Sequence, residues 1–269
     1  MELLPIQNIE NFKFKVKTTI STLRAKEPSF HALYPQLISN DQLFVVGGFL
    51  RNIANENYTF RDIDLISSMK KEELLNCLKN IDTNIKVNRL GGIKLSLKSF
   101  DVDIWSIHDN WAFGEERIKF DFNSDLDDKI VIEKIAEGSF FNYDSLVMNL
   151  NTNRFSVKHY NDLLKSKKLD ILRKNKSYVY RNPTREGNII RAYFLQKKYN
   201  FSLSDNVKAY FIEELKIIGA LKDSKGLDLV LIKSLDYEKK YQASINRNDF
   251  EEFLNSIIKS HGPLFNEKD

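Results

Sequence analysis

The sequence predicts an α/β domain followed by an all-helical one, and three observations carry that prediction. Between Leu43 and Val157, short runs rich in β-branched and aromatic residues alternate with amphipathic stretches. From Arg185 onward the strand signal nearly vanishes and amphipathic segments take over. No repeat or low-complexity tract breaks a chain of 269 residues that is 42% hydrophobic and 29% charged, a balance that excludes disordered and fibrous classes.

Taken in order, residues 8–27 are expected to form a helix leading into the sheet. The strand-like runs that follow are LFVVG, IDLIS, IKLSL, FDVDIWSI, SLVMNL and RFSV, with helical stretches FLRNIANEN and MKKEELLNCLKNI between the earlier ones. The C-terminal segments NIIRAYFLQKKY, DNVKAYFIEELKIIGALK, GLDLVLIKSLDYEKKY and NDFEEFLNSIIKS have helical spacing, and Asp205 is a plausible N-cap. A boundary near residue 178 then separates a domain of residues 1–178 from one of residues 179–269.

The formal charge of +4 conceals an uneven distribution. Residues 1–150 carry 18 basic and 22 acidic side chains (−4), residues 151–200 carry 13 and 3 (+10), and residues 201–269 carry 10 and 12 (−2). The single cysteine, Cys77, cannot form an internal disulfide and lies in an amphipathic stretch, so a reducing compartment, the cytoplasm, is expected, with no disulfide-linked partner. The N-terminal residues lack the apolar run of a signal peptide, no stretch reaches membrane-spanning length, and His31, His108, His159 and His261 give no zinc spacing.

Three motifs bear on chemistry. LFVVGGFLRN, residues 43–52, runs from a buried-strand pattern through Gly47-Gly48 into a helix; paired glycines there serve a tight turn or let backbone N–H groups approach a phosphate. In FRDIDLIS, period-2 alternation puts Asp62 and Asp64 on one strand face and Ile63 and Leu65 on the other. Such a carboxylate pair is either a solvated face or a set of hard oxygen ligands for Mg²⁺. In SFDVDIWSI, Asp101 and Asp103 share a face in the same way, and a strand placed beside IDLIS would add a third carboxylate suited to a two-metal site.

GGFLRN followed by RDIDL, 14 positions from Gly48 to Asp62, resembles the signature of the DNA polymerase beta superfamily of nucleotidyltransferases, in the branch of class II CCA-adding enzymes and bacterial poly(A) polymerases. The resemblance implies a nucleotidyltransferase head with a central mixed β-sheet and flanking helices, followed by a helical neck. It further implies that Gly47, Gly48 and Arg51 bind the nucleoside triphosphate and that Asp62 and Asp64 hold two Mg²⁺ or Mn²⁺ ions. Asp103 is the expected third ligand and Asp101 the reserve. The segment GSFFNYDSLVMNL, residues 138–150, is similar to the family's RRDFTINALAY segment, and PTREGNIIRAYFLQKKYNF to the DPLRILRAIRFAAKLGF segment that opens the neck, which matches Arg191 to the arginine of LRA. Departures are Asn52 for the aspartate of GGxVRD, Gly138 and Ser139 for the arginine pair, and Asp144 for asparagine. Ala209 and Tyr210 replace the first residues of ERIxxEL, of which IEEL around Glu214 survives. Metal chemistry is expected to persist, whereas base selection of the CCA type is not.

The activity so implied is metal-dependent transfer of a nucleoside monophosphate from a triphosphate to an acceptor hydroxyl, releasing pyrophosphate, with a tRNA-like RNA 3′ end as acceptor. Two alternatives stand beside it: a toxin- or defence-type nucleotidyltransferase that modifies a protein or small molecule, and a catalytically silent nucleotide- or RNA-binding module. The basic block supplies the expected nucleic-acid contacts, Lys165, Lys167, Lys168, Arg173, Lys174 and Lys176, interleaved with Tyr178, Tyr180 and Tyr193; Arg181 belongs to the same run. It is either a phosphate-tracking surface with base-stacking aromatics or a solubilising face with the tyrosines packed inward. In the family a cleft lies between head and neck, and Arg185 and Arg191 are the candidates for meeting the triphosphate there.

Overall fold

A computed structural model describes residues 3–40, 42–79, 81, 84–88, 91–114, 118, 127–180, 185–217, 228, 230–232, 237–238 and 244–260. Arg181, and most of the segment GLDLVLIKSLDYEKKY, lie outside these residues. The chain divides into two compact units, Met1–Lys165 and Ser166–Asp269. The expected boundary near residue 178 falls inside the second of them.

The first unit opens with helix α1 (Ile9–Lys26), where the Asn8 side chain accepts a hydrogen bond from the Asn11 backbone N–H and Arg24 and Lys26 sit in the last turn, opposite in sign to the helix end. Helix α2 (Pro28–Asn40) follows, beginning on a proline whose missing N–H costs nothing at that position. Strand β1 (Leu43–Val46) turns through Gly47 into the short helix α3 (Gly48–Ala54), and strand β2 (Asp62–Ser67) leads to helix α4 (Lys71–Leu78). Strands β3 (Asn84–Val87), β4 (Ile93–Ser96) and β5 (Asp101–Ser106) come next, then a single turn α5 (Trp111–Gly114) and helix α6 (Asp128–Glu137). A 3₁₀ turn over Asn142–Asp144 precedes strands β6 (Val147–Asn149) and β7 (Phe155–Ser156), and helix α7 (Lys158–Ser166) ends the unit.

These strands form one seven-stranded mixed sheet in the order β3-β4-β5-β2-β1-β6-β7. The β2–β5 pair is parallel and every other neighbour is antiparallel. The sheet is held by the alternation visible in the sequence: Ile63 and Leu65 on β2, Val102 and Ile104 on β5, and Ile93 and Leu95 on β4 are all buried. With those residues fixed inward, their neighbours must face the other way. The four aspartates of β2 and β5 therefore emerge together on one face.

The second unit contains helices α8 (Lys176–Tyr180), α9 (Arg185–Tyr199), α10 (Asp205–Ile217) and α11 (Arg247–Ser260). Two-residue strands β8 (Lys168–Leu169) and β9 (Ser202–Leu203) pair in parallel at its start, a small addition to the helical domain expected. Its core is aromatic. Tyr193 packs edge-on to Phe194, Phe250 and Phe253, with ring centroids 5.1 to 5.6 Å apart. Tyr178 is wholly buried and Tyr193 nearly so. Two of the three tyrosines interleaved with the basic residues are thus core residues, unable to stack a base; the Tyr180 side chain lies outside those described.

Candidate active site

The turn after β1 is set by one glycine. Gly47 has φ +65°, a left-handed conformation that side chains disfavour, while the N–H it might have offered to a phosphate is donated to the Leu146 carbonyl at 2.9 Å. Gly48 has ordinary geometry, and a methyl added there would make only a van der Waals contact with the Arg51 guanidinium. One turn into α3, Arg51 is held firmly. Its Nη1 donates to Asp144 Oδ1 at 2.9 Å and to the Tyr143 carbonyl at 3.2 Å, and its guanidinium lies 4.0 Å from the centre of the Tyr143 ring. Asp144 is the residue that stands where the resembling family has asparagine, so this clamp was not foreseen.

Across the turn, the parallel β2–β5 register pairs Asp62 with Asp101 and Asp64 with Asp103. Adjacent strands lie about 4.8 Å apart, so four carboxylates share a patch a few ångströms across. On the far side of β5, antiparallel β4 sets Lys94 opposite Asp103 and Ser96 opposite Asp101. Lys94 Nζ reaches diagonally to Asp101 Oδ2 at 2.6 Å. At the other end, Arg61 pairs with Asp62 through both its Nε, at 2.9 Å, and its Nη2. Burial raises the Asp103 carboxyl above the usual range, and the charges of Asp62 and Asp101 push the same way against the opposing pull of Lys94 and Arg61. The hydrogen bond to Asp101, with the Asp103, Asp101 and Asp62 charges behind it, raises the Lys94 ammonium in turn.

Hard carboxylate oxygens on two in-register strands are the donor chemistry that Mg²⁺ and Mn²⁺ take. Among the described residues no three His, Cys, Asp or Glu side chains are grouped so as to hold a metal ion as they stand. Two of the four aspartates are turned toward cations of the chain itself. The donor set fits a divalent ion, which would compete with Arg61 and Lys94 for one oxygen each of Asp62 and Asp101.

Beside Asp64 opens a pocket of about 230 Å³, walled by Val46, Trp105 and Phe113 and bordered by Gly138 and Ser139. The small residues at 138 and 139, where the resembling family carries arginines, leave it open. The Ser139 hydroxyl donates to the Asp144 carbonyl at 3.1 Å, which ties the pocket rim to the Arg51 clamp. The Trp105 indole packs so close to Gly92, the residue before β4, that an added Cβ would overlap it. Only glycine fits there, a requirement that no motif in the sequence announces.

No family model matches the chain, and no curated protein matches it. Solved structures do. A CCA-adding enzyme in complex with CTP superposes with a TM-score of 0.57 at 17% identity, over 89% of this chain and 55% of that one. The complex of a CCA-adding enzyme with ATP gives 0.56 at 16%, over 93% and 56%, and the Thermotoga maritima CCA-adding enzyme complexed with tRNA gives 0.56 at 15%, over 89% and 54%. This chain shares their fold. It spans about half the length of those enzymes.

The remaining expected residues fall in or beside the second unit. Arg185 opens α9 and lies 3.4 Å from Glu214 of α10, while Arg191, half-buried, sits further along α9. Glu214 is completely buried, and neither carboxylate oxygen has a hydrogen-bond partner. Burial pushes its carboxyl up to about 7, Arg185 opposing and Glu186 and Glu213 adding to the shift. Lys165, which closes the first unit, and Lys167, Lys168, Lys174 and Lys176 are exposed; Arg173 is half-buried, and Lys174 lies 3.7 Å from Asp170. Cys77 is half-buried on α4, with its Sγ 4.0 Å from Met69 Sδ. No described helix is long and apolar enough to cross a membrane.

Proposed function

We propose that this chain is a metal-dependent nucleotidyltransferase that transfers a nucleoside monophosphate to an acceptor hydroxyl. The observation that carries the reading is the in-register pairing of Asp62 and Asp64 with Asp101 and Asp103, beside the Gly47 turn, in a sheet that shares the fold of CCA-adding enzymes. In the reaction the acceptor oxygen bonds to the α-phosphorus, the bond from that phosphorus to the bridging oxygen of pyrophosphate breaks, and the hydroxyl proton is lost. Two Mg²⁺ or Mn²⁺ ions held by Asp62, Asp64 and Asp103 would supply charge neutralisation at the α-phosphate and the pyrophosphate. One of these carboxylates is proposed to accept the hydroxyl proton. Gly47, Gly48, Arg51, Arg185 and Arg191 are proposed nucleotide contacts on the strength of the resemblance. Arg51 Nη1 is engaged by Asp144 and Arg185 Nε lies beside Glu214, so a phosphate would compete with each carboxylate.

The proposed acceptor is an RNA 3′ end in the cytoplasm. A protein or small-molecule acceptor is the second reading, favoured by the burial of Tyr178 and Tyr193, which deprives the basic block of two of its stacking aromatics. Incubation with Mg²⁺ and each α-labelled nucleoside triphosphate, with and without total RNA, separates the readings. Label in RNA supports the first and label in protein or a small product the second; label in neither overturns transferase activity. Asp64→Asn is expected to lower transfer at least a hundredfold while the thermal midpoint stays within a few degrees.

A further inference from the structure

We infer that Lys94 is a positioning residue that withdraws Asp101 from the metal-binding row and thereby makes Asp103 the third ligand. The inference rests on the nucleotidyltransferase reading of that row and goes beyond it in assigning the roles of the two carboxylates on β5. Asp101 and Asp103 are alike in chemistry and sit on the same face of one strand, so nothing in their own sequence distinguishes them. What distinguishes them is β4. The antiparallel register puts Lys94 directly opposite Asp103, yet its ammonium goes diagonally to Asp101 Oδ2 at 2.6 Å. Asp101 therefore has a cation of its own, while Asp103 lies in register with Asp64 and feels Lys94 and Arg61 as longer-range charges.

The physical need for such a device follows from the register. Four carboxylates on two adjacent strands carry a formal charge of −4, and a hard divalent ion could settle between Asp62 and Asp101 or between Asp64 and Asp103. A tethered ammonium on Asp101 removes the first choice. It also lowers the pull of the whole patch on cations, because an ion entering beside Asp64 meets Lys94 as a like charge. The sequence pattern serves this arrangement: in IKLS the buried Ile93 and Leu95 force Lys94 onto the carboxylate face.

The test is Mn²⁺ binding by the intact chain, followed by electron paramagnetic resonance, without nucleotide and without turnover. Wild type is expected to bind Mn²⁺ with an affinity that Asp64→Asn and Asp103→Asn each weaken at least tenfold. Lys94→Met is expected to tighten Mn²⁺ binding about tenfold and to raise the number of bound ions, since Asp101 is released. Lys94→Arg is expected to behave as wild type, and the Lys94→Met, Asp101→Asn double variant, which removes the ammonium and its carboxylate together, to return to the wild-type affinity and ion count. Thermal midpoints check that all variants are folded. Binding by the Lys94→Met, Asp101→Asn double variant tenfold weaker than wild type, or Lys94→Met binding equal to wild type while Asp64→Asn still weakens it, overturns the role of Lys94 and leaves the metal site standing. Mn²⁺ binding that is indifferent to Asp64 and Asp103 overturns the nucleotidyltransferase reading of the row and this inference with it.

Discussion

Individual side chains in this protein are governed by which partner a buried charge finds. Arg51 and Asp144 are both largely buried, with side chains 12% and 19% exposed, and each is the other's counter-charge. Removing Asp144 takes the counter-charge from a largely buried guanidinium, so Asp144→Ala is expected to cost about 3 kcal/mol, whereas Asp144→Asn keeps an acceptor for Nη1 and should cost less than half of that. Urea unfolding of the two variants checks the order. Glu214 is the opposite case, a buried carboxylate with one cation at 3.4 Å and no hydrogen bond. Its folded carboxyl lies near 7, above the ordinary value of 4.5, so the folded state binds the extra proton. Its contribution to stability is fully present below about pH 4.5 and is lost as pH rises through about 7. Glu214→Gln should therefore raise the thermal midpoint at pH 8 and leave it unchanged at pH 4.5; a gain of equal size at both values would show that ionisation of Glu214 is not the cause. Neither pair was legible in the sequence, because each joins residues 93 or 29 positions apart whose meeting depends on the fold.

Among the elements, legibility followed how much of the stabilisation is periodic. Strands β1, β2 and β5 announced themselves because their buried residues recur at period two or as a continuous apolar run, and α1 because it spans five turns between recognisable caps. Strand β3 was missed: it is a sheet edge of four residues, and its two apolar side chains, Ile85 and Val87, are not buried. Helix α2 was missed because Pro35 lies inside it, a residue that removes a helical hydrogen bond and normally marks an end. Helix α6 carries Ile130, Val131 and Ile132 in succession, which reads as strand, and only the burial of Val131, Ile132, Ile135 and Ala136 reveals a helical face. The site inherits the same division. Its two aspartate pairs were visible as strand alternation, whereas the register that joins them, and the glycine that admits Trp105, are properties of neighbouring strands. At the β1–α3 turn the elements give a clean contrast. Gly47→Ala must hold a side chain at φ +65° and should cost about 1–2 kcal/mol, while Gly48→Ala, with ordinary geometry and no contact closer than van der Waals, should be neutral or slightly stabilising. Equal costs in urea unfolding would remove the left-handed turn as the reason for the glycine pair.

Over the whole molecule, the charge distribution separates the proposed chemistry from the proposed substrate. The acidic first 150 residues include the aspartate row, where cations are to be concentrated; the basic stretch of residues 151–200 carries exposed lysines at 165, 167, 168, 174 and 176. A phosphate backbone bound there releases counterions, so affinity for single-stranded RNA falls with salt by about 0.7 logarithmic units per decade for each phosphate neutralised. Arg173 is half-buried and is left out of any test of that surface, since reversing its charge would disturb packing as well as binding. Reversing Lys165, Lys167, Lys168 and Lys174 to glutamate is expected to weaken RNA binding by at least tenfold at low salt and to flatten the salt dependence by up to about 3 logarithmic units per decade. Nucleoside triphosphate affinity should stay within about twofold, because no residue proposed to touch the nucleotide is altered. Fluorescence anisotropy with a labelled RNA and a labelled triphosphate, each titrated across salt, measures both. An unchanged salt slope would mean that these lysines only solvate the surface, and the acceptor would then have to be sought among protein or small-molecule hydroxyls; a parallel loss of triphosphate affinity would mean that the block serves the nucleotide rather than the RNA.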